Sequence, residues 1–268
     1  MLTVPPIGLM RPKVSPTPAQ AAFFGLETNN PASHLRLDAE SQSGLAIRTH
    51  FTGELWLYAL SFGSSTRKPI VNRDSNGIIN VGINWGFGLS GANNGSAEVY
   101  FTYTTSPTFG TTRHHDVPHG AGDITGAWHH IAATRDHTIG ETKLFFDGAL
   151  IGTLSQDPGS NPPWDASPAY VDNNMDVLIG AHGSSGIPSA LADIHGYLAE
   201  VRVWNVVRTP AEIAANYNQA LIGNETGLFL YMPMISDFND YSGNGNHFFA
   251  VAGADAPAPS IQPIARPF

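Results

Sequence analysis

About a dozen short runs of aliphatic, aromatic and β-branched residues follow one another along this chain, and Gly, Pro, Asn or Asp breaks each from the next. That succession leaves little room for helices. His34 to Leu37 and Gly44 to Arg48 alternate apolar and polar residues. Glu54 to Leu60 is almost wholly apolar, as a central strand buried on both faces is. Lys68 to Asn72, Val81 to Leu89, Glu98 to Thr104 and Trp128 to Arg135 continue the series, and Asp176 to Ala181, Tyr197 to Trp204 and Gly227 to Met232 end it. Between Thr142–Phe146 and Ala149–Leu154 stands Asp147-Gly148, the strongest short hairpin signal in the chain. One helix is predicted. Thr209-Pro210-Ala211-Glu212 supplies a cap, a first-turn proline and a capping-box glutamate, Ile213, Tyr217 and Ala220 share a face, and Gly223 ends it. The pattern is all-β, with two stacked antiparallel sheets and one short helix in the C-terminal half.

A chain of 268 residues fits one large β domain. The Pro-rich residues 1–20 form an arm, 21–252 the domain, and 253–268 a Pro/Ala-rich tail; arm and tail either pack along the sandwich edge or stay loose. Charged residues make up only 13% and the net charge is −9, with no Lys/Arg cluster, so a nucleic-acid or anionic-membrane partner is disfavoured. With no cysteine, disulfides, thiolate metal sites and cysteine nucleophiles are excluded. Prolines 5, 6, 12, 16 and 18 interrupt the N-terminus where a signal peptide needs a continuous apolar run, and no run approaches a membrane span. Synthesis in the cytosol is expected; action outside the cell would need another export route.

Several segments, in order, resemble the laminin-G-like or concanavalin A-like jelly-roll superfamily. They are His34-Leu35-Arg36-Leu37-Asp38, Phe51 to Leu57, Gly126 to Ala132 followed by Lys143 to Gly152, Val177 to Gly180, Gly196 to Asn205 and Asp240 to His247. The resemblance covers roughly residues 34–250 and implies a two-sheet antiparallel jelly-roll sandwich. It is unspecific for function, because lectins, adhesion modules and enzymes share the fold. It also implies a structural calcium where the last strand meets the first, with Asp240 and Asp38 as ligands and Asp237 assisting; the plain reading is an Asx-type turn of Asp240 and Ser242 with Gly243. The oxygen-rich Asp172-Asn173-Asn174 is a second calcium candidate. The chain departs from the pentraxins in lacking their adjacent Glu-Gln-Asp cluster.

Long loops are expected at 105–127 and 155–175, where binding residues gather. Trp164 and Asp165 follow Asn161-Pro162-Pro163 in the second. An exposed tryptophan beside a carboxylate suits a sugar ring and its hydroxyls, and the plain reading is a cap on a sheet edge. The run His114-His115-Asp116-Val117-Pro118-His119 offers zinc ligands, sugar contacts or a solvated loop, and Pro118 prevents a helical pairing of His115 with His119. His182 stands at a strand end, and Asn93, Asn94, Asp193 and His195 are further loop candidates. Trp56, Trp128 and Trp204 sit in strand patterns and are expected in the core.

Sandwich glucanases carry Glu-x-Asp on one strand, and none of the eight glutamates here is followed by an aspartate two residues on. Neither a Gly-x-Ser-x-Gly elbow nor a phosphate loop is present. The sequence therefore reads as a lectin that binds glycans through loops, without catalysis. Weak single sites further imply a homo-oligomer. The alternatives are a protein-binding adhesion module and, after it, a polysaccharide-degrading enzyme.

Overall fold

The computed structural model of the chain describes residues 20–26, 32–45, 47, 49–62, 67–73, 84–91, 95–106, 109–155, 176–184, 187–189, 194–266 and 268. Its elements are β1 (Gln20–Phe24), β2 (His34–Leu37), β3 (His50–Phe62), β4 (Arg67–Arg73), β5 (Asn84–Ser90), β6 (Ser96–Ser106), β7 (Phe109–Pro118), β8 (Trp128–Asp136), β9 (Glu141–Phe146), β10 (Ala149–Ser155), β11 (Val177–Ile179), β12 (His182–Ser184), β13 (Ile187–Ser189), β14 (Ile194–Trp204), α1 (Pro210–Asn216), β15 (Leu228–Met232), β16 (Phe249–Val251) and β17 (Ser260–Pro263). An eight-stranded sheet runs β10-β9-β8-β3-β14-β1-β17, with β15 also paired to β14, and a seven-stranded sheet runs β16-β2-β11-β4-β5-β6-β7. β12 and β13 pair with each other. Neighbouring strands within both sheets are antiparallel. The two sheets form the predicted sandwich.

Strand alternation decides which residues meet between the sheets. Leu55, Leu57 and Ala59 of β3 and Leu198, Val201 and Val203 of β14 join Val71, Trp85, Phe87, Leu89 and Val99 of the other sheet in one core. The Asp147-Gly148 hairpin is present, with φ of 49° and 75°, and the Gly148 turn lies so close to Tyr217 that a Cβ would stand 2.6 Å from its ring. Helix α1 carries the full capping box between Thr209 and Glu212. It is shorter than the periodicity predicts, because Tyr217 already caps it.

Three expectations change and one open alternative is decided. Gly44 to Arg48 supplies no strand among its described residues: Gly44 has φ +74°, and the Leu45 carbonyl accepts the buried Trp85 indole N–H instead of a ladder bond. Residues 109–118, expected in a loop, form β7, because their backbone pairs along β6 whatever the polarity of the side chains. The Pro/Ala-rich tail, expected either to pack along the sandwich edge or to stay loose, packs there: its β17 pairs with β1 and closes one edge of the eight-stranded sheet. Of the three tryptophans expected in the core, Trp128 is only half-buried, and Trp56 and Trp204 belong to smaller clusters on the outside of the sheet; the core tryptophan is Trp85.

Candidate ligand-binding site

The outer face of the eight-stranded sheet is built from three rows of residues set side by side by the strand register. The first is Arg202–Glu54–Ala132–Phe145, the second Ala199–Trp56–His130, and the third Phe23–Tyr197–Tyr58–Trp128. Helix α1 and the chain after β17 lie over the first two rows. Ile213 packs on Ala132 and Phe145, Tyr217 stacks on Trp56, and the Trp56 indole donates to the Tyr217 carbonyl.

Beneath that cover lies a charged cluster. A one-residue bulge between Ala199 and Arg202 puts Glu200 at φ +54°. Without it, alternation would send this carboxylate into the core. Glu200 instead accepts hydrogen bonds from Arg202, Arg266 and the Tyr231 hydroxyl. Arg202 also donates to the carbonyls of Asn216 and Gln219 behind α1. Glu54 Oε2 lies 3.4 Å from His130 Nε2 and 3.6 Å from Arg202 Nη1, and its other oxygen is 3.9 Å from Arg208 Nε. Burial opposes the ionised form of Glu54, but the adjacent His130 side chain and the Arg202 and Arg208 charges outweigh it and hold the carboxyl below its usual range. Burial holds His130 below the usual imidazole range, against the pull of Glu54. Glu54, Glu200 and Arg202 are each no more than 1% exposed, which seals both carboxylates from any substrate.

The third row is half-buried rather than sealed. Its ring centroids step by 5.0 Å from Phe23 to Tyr197, 6.1 Å to Tyr58 and 5.7 Å to Trp128, and neighbouring rings tilt by 52°, 79° and 66°. Such edge-to-face contacts are worth about 0.5–1.5 kcal/mol each beyond area. Gly196 allows the close approach of β14 to β3, since a Cβ there would stand 2.2 Å from the Tyr58 carbonyl. Among the described residues the hydroxyls of Tyr58 and Tyr197 have no hydrogen-bond partner. At the Phe23 end, His195 packs edge-on to Phe23, and its Nδ1 lies 3.1 Å from the Ser61 hydroxyl. Burial lowers the His195 pKa. Beside the row, Ile264 packs against this cluster and the Ala265 carbonyl accepts the Trp128 indole N–H. Arg266 is anchored in the Glu200 pocket and on the carbonyls of Gln20 and Pro233.

The predicted residues are distributed differently. Trp164 and Asp165 lie outside the described residues, as do Asn93, Asn94, Asp193 and Asp172-Asn173-Asn174. In β7 the backbone of His114 pairs with Tyr100, that of His115 with Val99 and that of Asp116 with Glu98 of β6. Asp116 is exposed, whereas Asn72 and Glu98 of the same sheet are buried, and Asn72 donates to the Ala181 carbonyl. His182 opens β12, opposite Ser189. Among the described residues no group of three or more His, Cys, Asp or Glu is placed to hold a metal ion.

The calcium ligands implied for the chain closure do not suit a cation. Asp240 is 4% exposed, and its oxygens accept the backbone N–H groups of Tyr231, Ser242 and Asn246 and the Ser242 hydroxyl. Its lone pairs thus face donors, where a cation needs them vacant. The Asp240–Ser242 bond is an Asx turn. Asp38 pairs with Arg36 at 2.8 Å, and Asp237 accepts from Ser236, Asn239 and Tyr241.

Sequence reasoning noted His195 but missed Tyr58, Tyr197, Phe23 and the exposure of Trp128. The signal within one strand was there: Trp56 and Tyr58 alternate on one face of β3. Which strands stand beside β3 carries no local signature.

A two-sheet antiparallel sandwich of this build is a jelly-roll fold. The chain belongs to the concanavalin A-like lectin/glucanases superfamily, whose laminin G type model matches residues 29–214. Among solved structures it is similar to a heptameric SAP-like pentraxin of Limulus polyphemus, at 13% identity and a TM-score of 0.54, over 88% of this chain and 93% of that one. It is also similar to a Bacteroides ovatus protein named for carbohydrate binding, at 17% identity and a TM-score of 0.58, over 93% of this chain and 61% of that one. At these identities the likeness is one of fold. A comparison with curated proteins finds no match.

Proposed function

We propose that this protein binds carbohydrate without cleaving it, through the aromatic row on the outer face of its eight-stranded sheet. The observation that carries the reading is the register Phe23–Tyr197–Tyr58–Trp128, four half-buried rings with two phenol hydroxyls that have no hydrogen-bond partner among the described residues. Aromatic faces take the apolar C–H surfaces of sugars, and free hydroxyls and an imidazole nitrogen exchange hydrogen bonds with theirs. The fate of the strand glutamates supports a non-catalytic role: Glu54 and Glu200 share this face of the sheet but are buried and ion-paired. A general acid must reach the glycosidic oxygen, and these do not. A shallow site of this kind binds weakly, so the reading includes a homo-oligomer for avidity, checked by sedimentation equilibrium. The test of function is a glycan array probed with the full chain and with a Tyr58→Ala, Tyr197→Ala double variant whose fold is confirmed by circular dichroism. Saturable binding lost in the variant is the expected result. Binding to no glycan, or release of reducing ends from a polysaccharide, overturns the reading.

A further inference from the structure

The geometry points to a neutral, soluble, extended oligosaccharide chain as the ligand of the aromatic row, held across the strands by about four successive sugar residues; the inference rests on the carbohydrate reading above. Length comes first. The four rings stand in line because direct cross-strand partners stand in line, and their spacing of 5.0, 6.1 and 5.7 Å follows the separation of strands in a sheet. Each step is about the length of one pyranose in an extended chain, so a single terminal sugar covers one ring and leaves the others wet. The tilt of the rings comes next. A crystalline polysaccharide surface needs coplanar rings, and neighbours here are inclined by 52° to 79°. A single chain can rotate its sugar faces from one residue to the next and follow such a row. Charge decides the rest. An acidic sugar needs a cation, best a guanidinium fork. Arg266, the arginine that enters beside the row, is bound to Glu200 and two backbone carbonyls. Burial moreover disfavours the charged form of His195. The polar groups offered are two phenols, an imidazole and the Ser61 hydroxyl, which suit neutral hydroxyls.

The experiment is isothermal titration calorimetry of the full chain against neutral gluco-, manno- and xylo-oligosaccharides of one to six residues, with 3′-sialyllactose as the acidic probe. For the neutral series that binds, affinity should rise about 100-fold from monosaccharide to tetrasaccharide and then level off. Tyr58→Ala and Tyr197→Ala should each weaken the tetrasaccharide about 10-fold or more while leaving the monosaccharide within about 3-fold. An affinity independent of length overturns the extended-chain inference and leaves carbohydrate binding standing. Tighter binding of sialyllactose than of a neutral trisaccharide overturns the neutral class. Unchanged tetrasaccharide binding in both variants overturns the site. Failure of every sugar to bind overturns the carbohydrate reading itself.

Discussion

The outer face of the eight-stranded sheet has two halves that invert the usual expectation of what is inside and what is outside. Under α1 lie Glu54, Glu200, Arg202 and His130, charged or titratable groups that a surface normally keeps wet, and each is buried. One register row away lie Phe23, Tyr197, Tyr58 and Trp128, rings that a core normally takes in, and each is partly exposed. Glu200 and Arg202 survive burial because they are hydrogen-bonded to each other and Arg202 to the carbonyls behind α1, while Glu54, without a hydrogen bond, lies within 4 Å of Arg202, Arg208 and His130. The rings are only half-buried because the chain after β17 meets them along one side, where Ile264 packs on the cluster and the Ala265 carbonyl takes the Trp128 indole N–H. The lesson is that a strand carboxylate in this fold is not a catalytic candidate by its position alone. What lies over it decides.

The sharpest way to break this comparison is to remove the arginine at the centre of the sealed half. Arg202→Met leaves Glu54 and Glu200 buried without the guanidinium they share, and should cost about 3–5 kcal/mol in urea unfolding. A loss under about 1 kcal/mol would show that packing of α1, not ion pairing, holds that half together. The same rule of internal satisfaction governs the Asp240 turn. Asp240→Ala, which strips partners from three backbone N–H groups, should cost about 3 kcal/mol in calcium and in chelator alike. A wild-type melting temperature that drops in chelator would reinstate a cation there.

Acid should act on the sealed half first. Burial depresses the folded pKa of His130 below the ordinary imidazole value of 6.5, so between the two pKa values the unfolded chain holds a proton that the native chain does not. Its contribution is therefore present above pH 6.5 and is lost as pH falls through the window below it, by up to about 1.4 kcal/mol per pH unit. His34 and His195 are shifted in the same direction by burial. Urea midpoints from pH 7.5 to 5 should show this fall, and His130→Gln should flatten it. A slope unchanged in that variant would move the effect elsewhere. Smaller effects sharpen the boundary. Thr209→Ala removes the α1 capping box and should cost about 1 kcal/mol, read from the same unfolding curves. Tyr58→Phe should alter stability by less than about 0.5 kcal/mol, because its hydroxyl has no partner among the described residues. It should still weaken glycan binding, which separates the open half from the sealed one.

Much of the architecture was legible because its signals are local. The Asp147-Gly148 turn, the Thr209–Glu212 capping box and the apolar runs of β3, β8 and β14 each depend on residues within a few positions of one another. The family resemblance came from the same runs in order. β7 was not legible, because His114, His115 and Asp116 look like loop residues and become a strand only by pairing with β6. The tail was not legible either, since Ser260–Pro263 is a strand only because β1 offers a free edge. The reading of Asp240 as a calcium ligand was set aside by hydrogen bonds from Tyr231 and Asn246, which no pattern around Asp240 announces.

The sequence by itself determined that this chain is a β-sandwich, that it carries neither thiol chemistry nor a strand-borne Glu-x-Asp pair, and that one capped helix follows β14. Alternation and turn chemistry are properties of short segments and need no partner to be read. Only the tertiary structure decided that Phe23, Tyr197, Tyr58 and Trp128 share a line, and that Glu54 and Glu200 lie under a helix. Those residues come from strands up to 174 positions apart in the chain, as Phe23 and Tyr197 do. The pairing register that joins them is set by the packing of the whole sandwich.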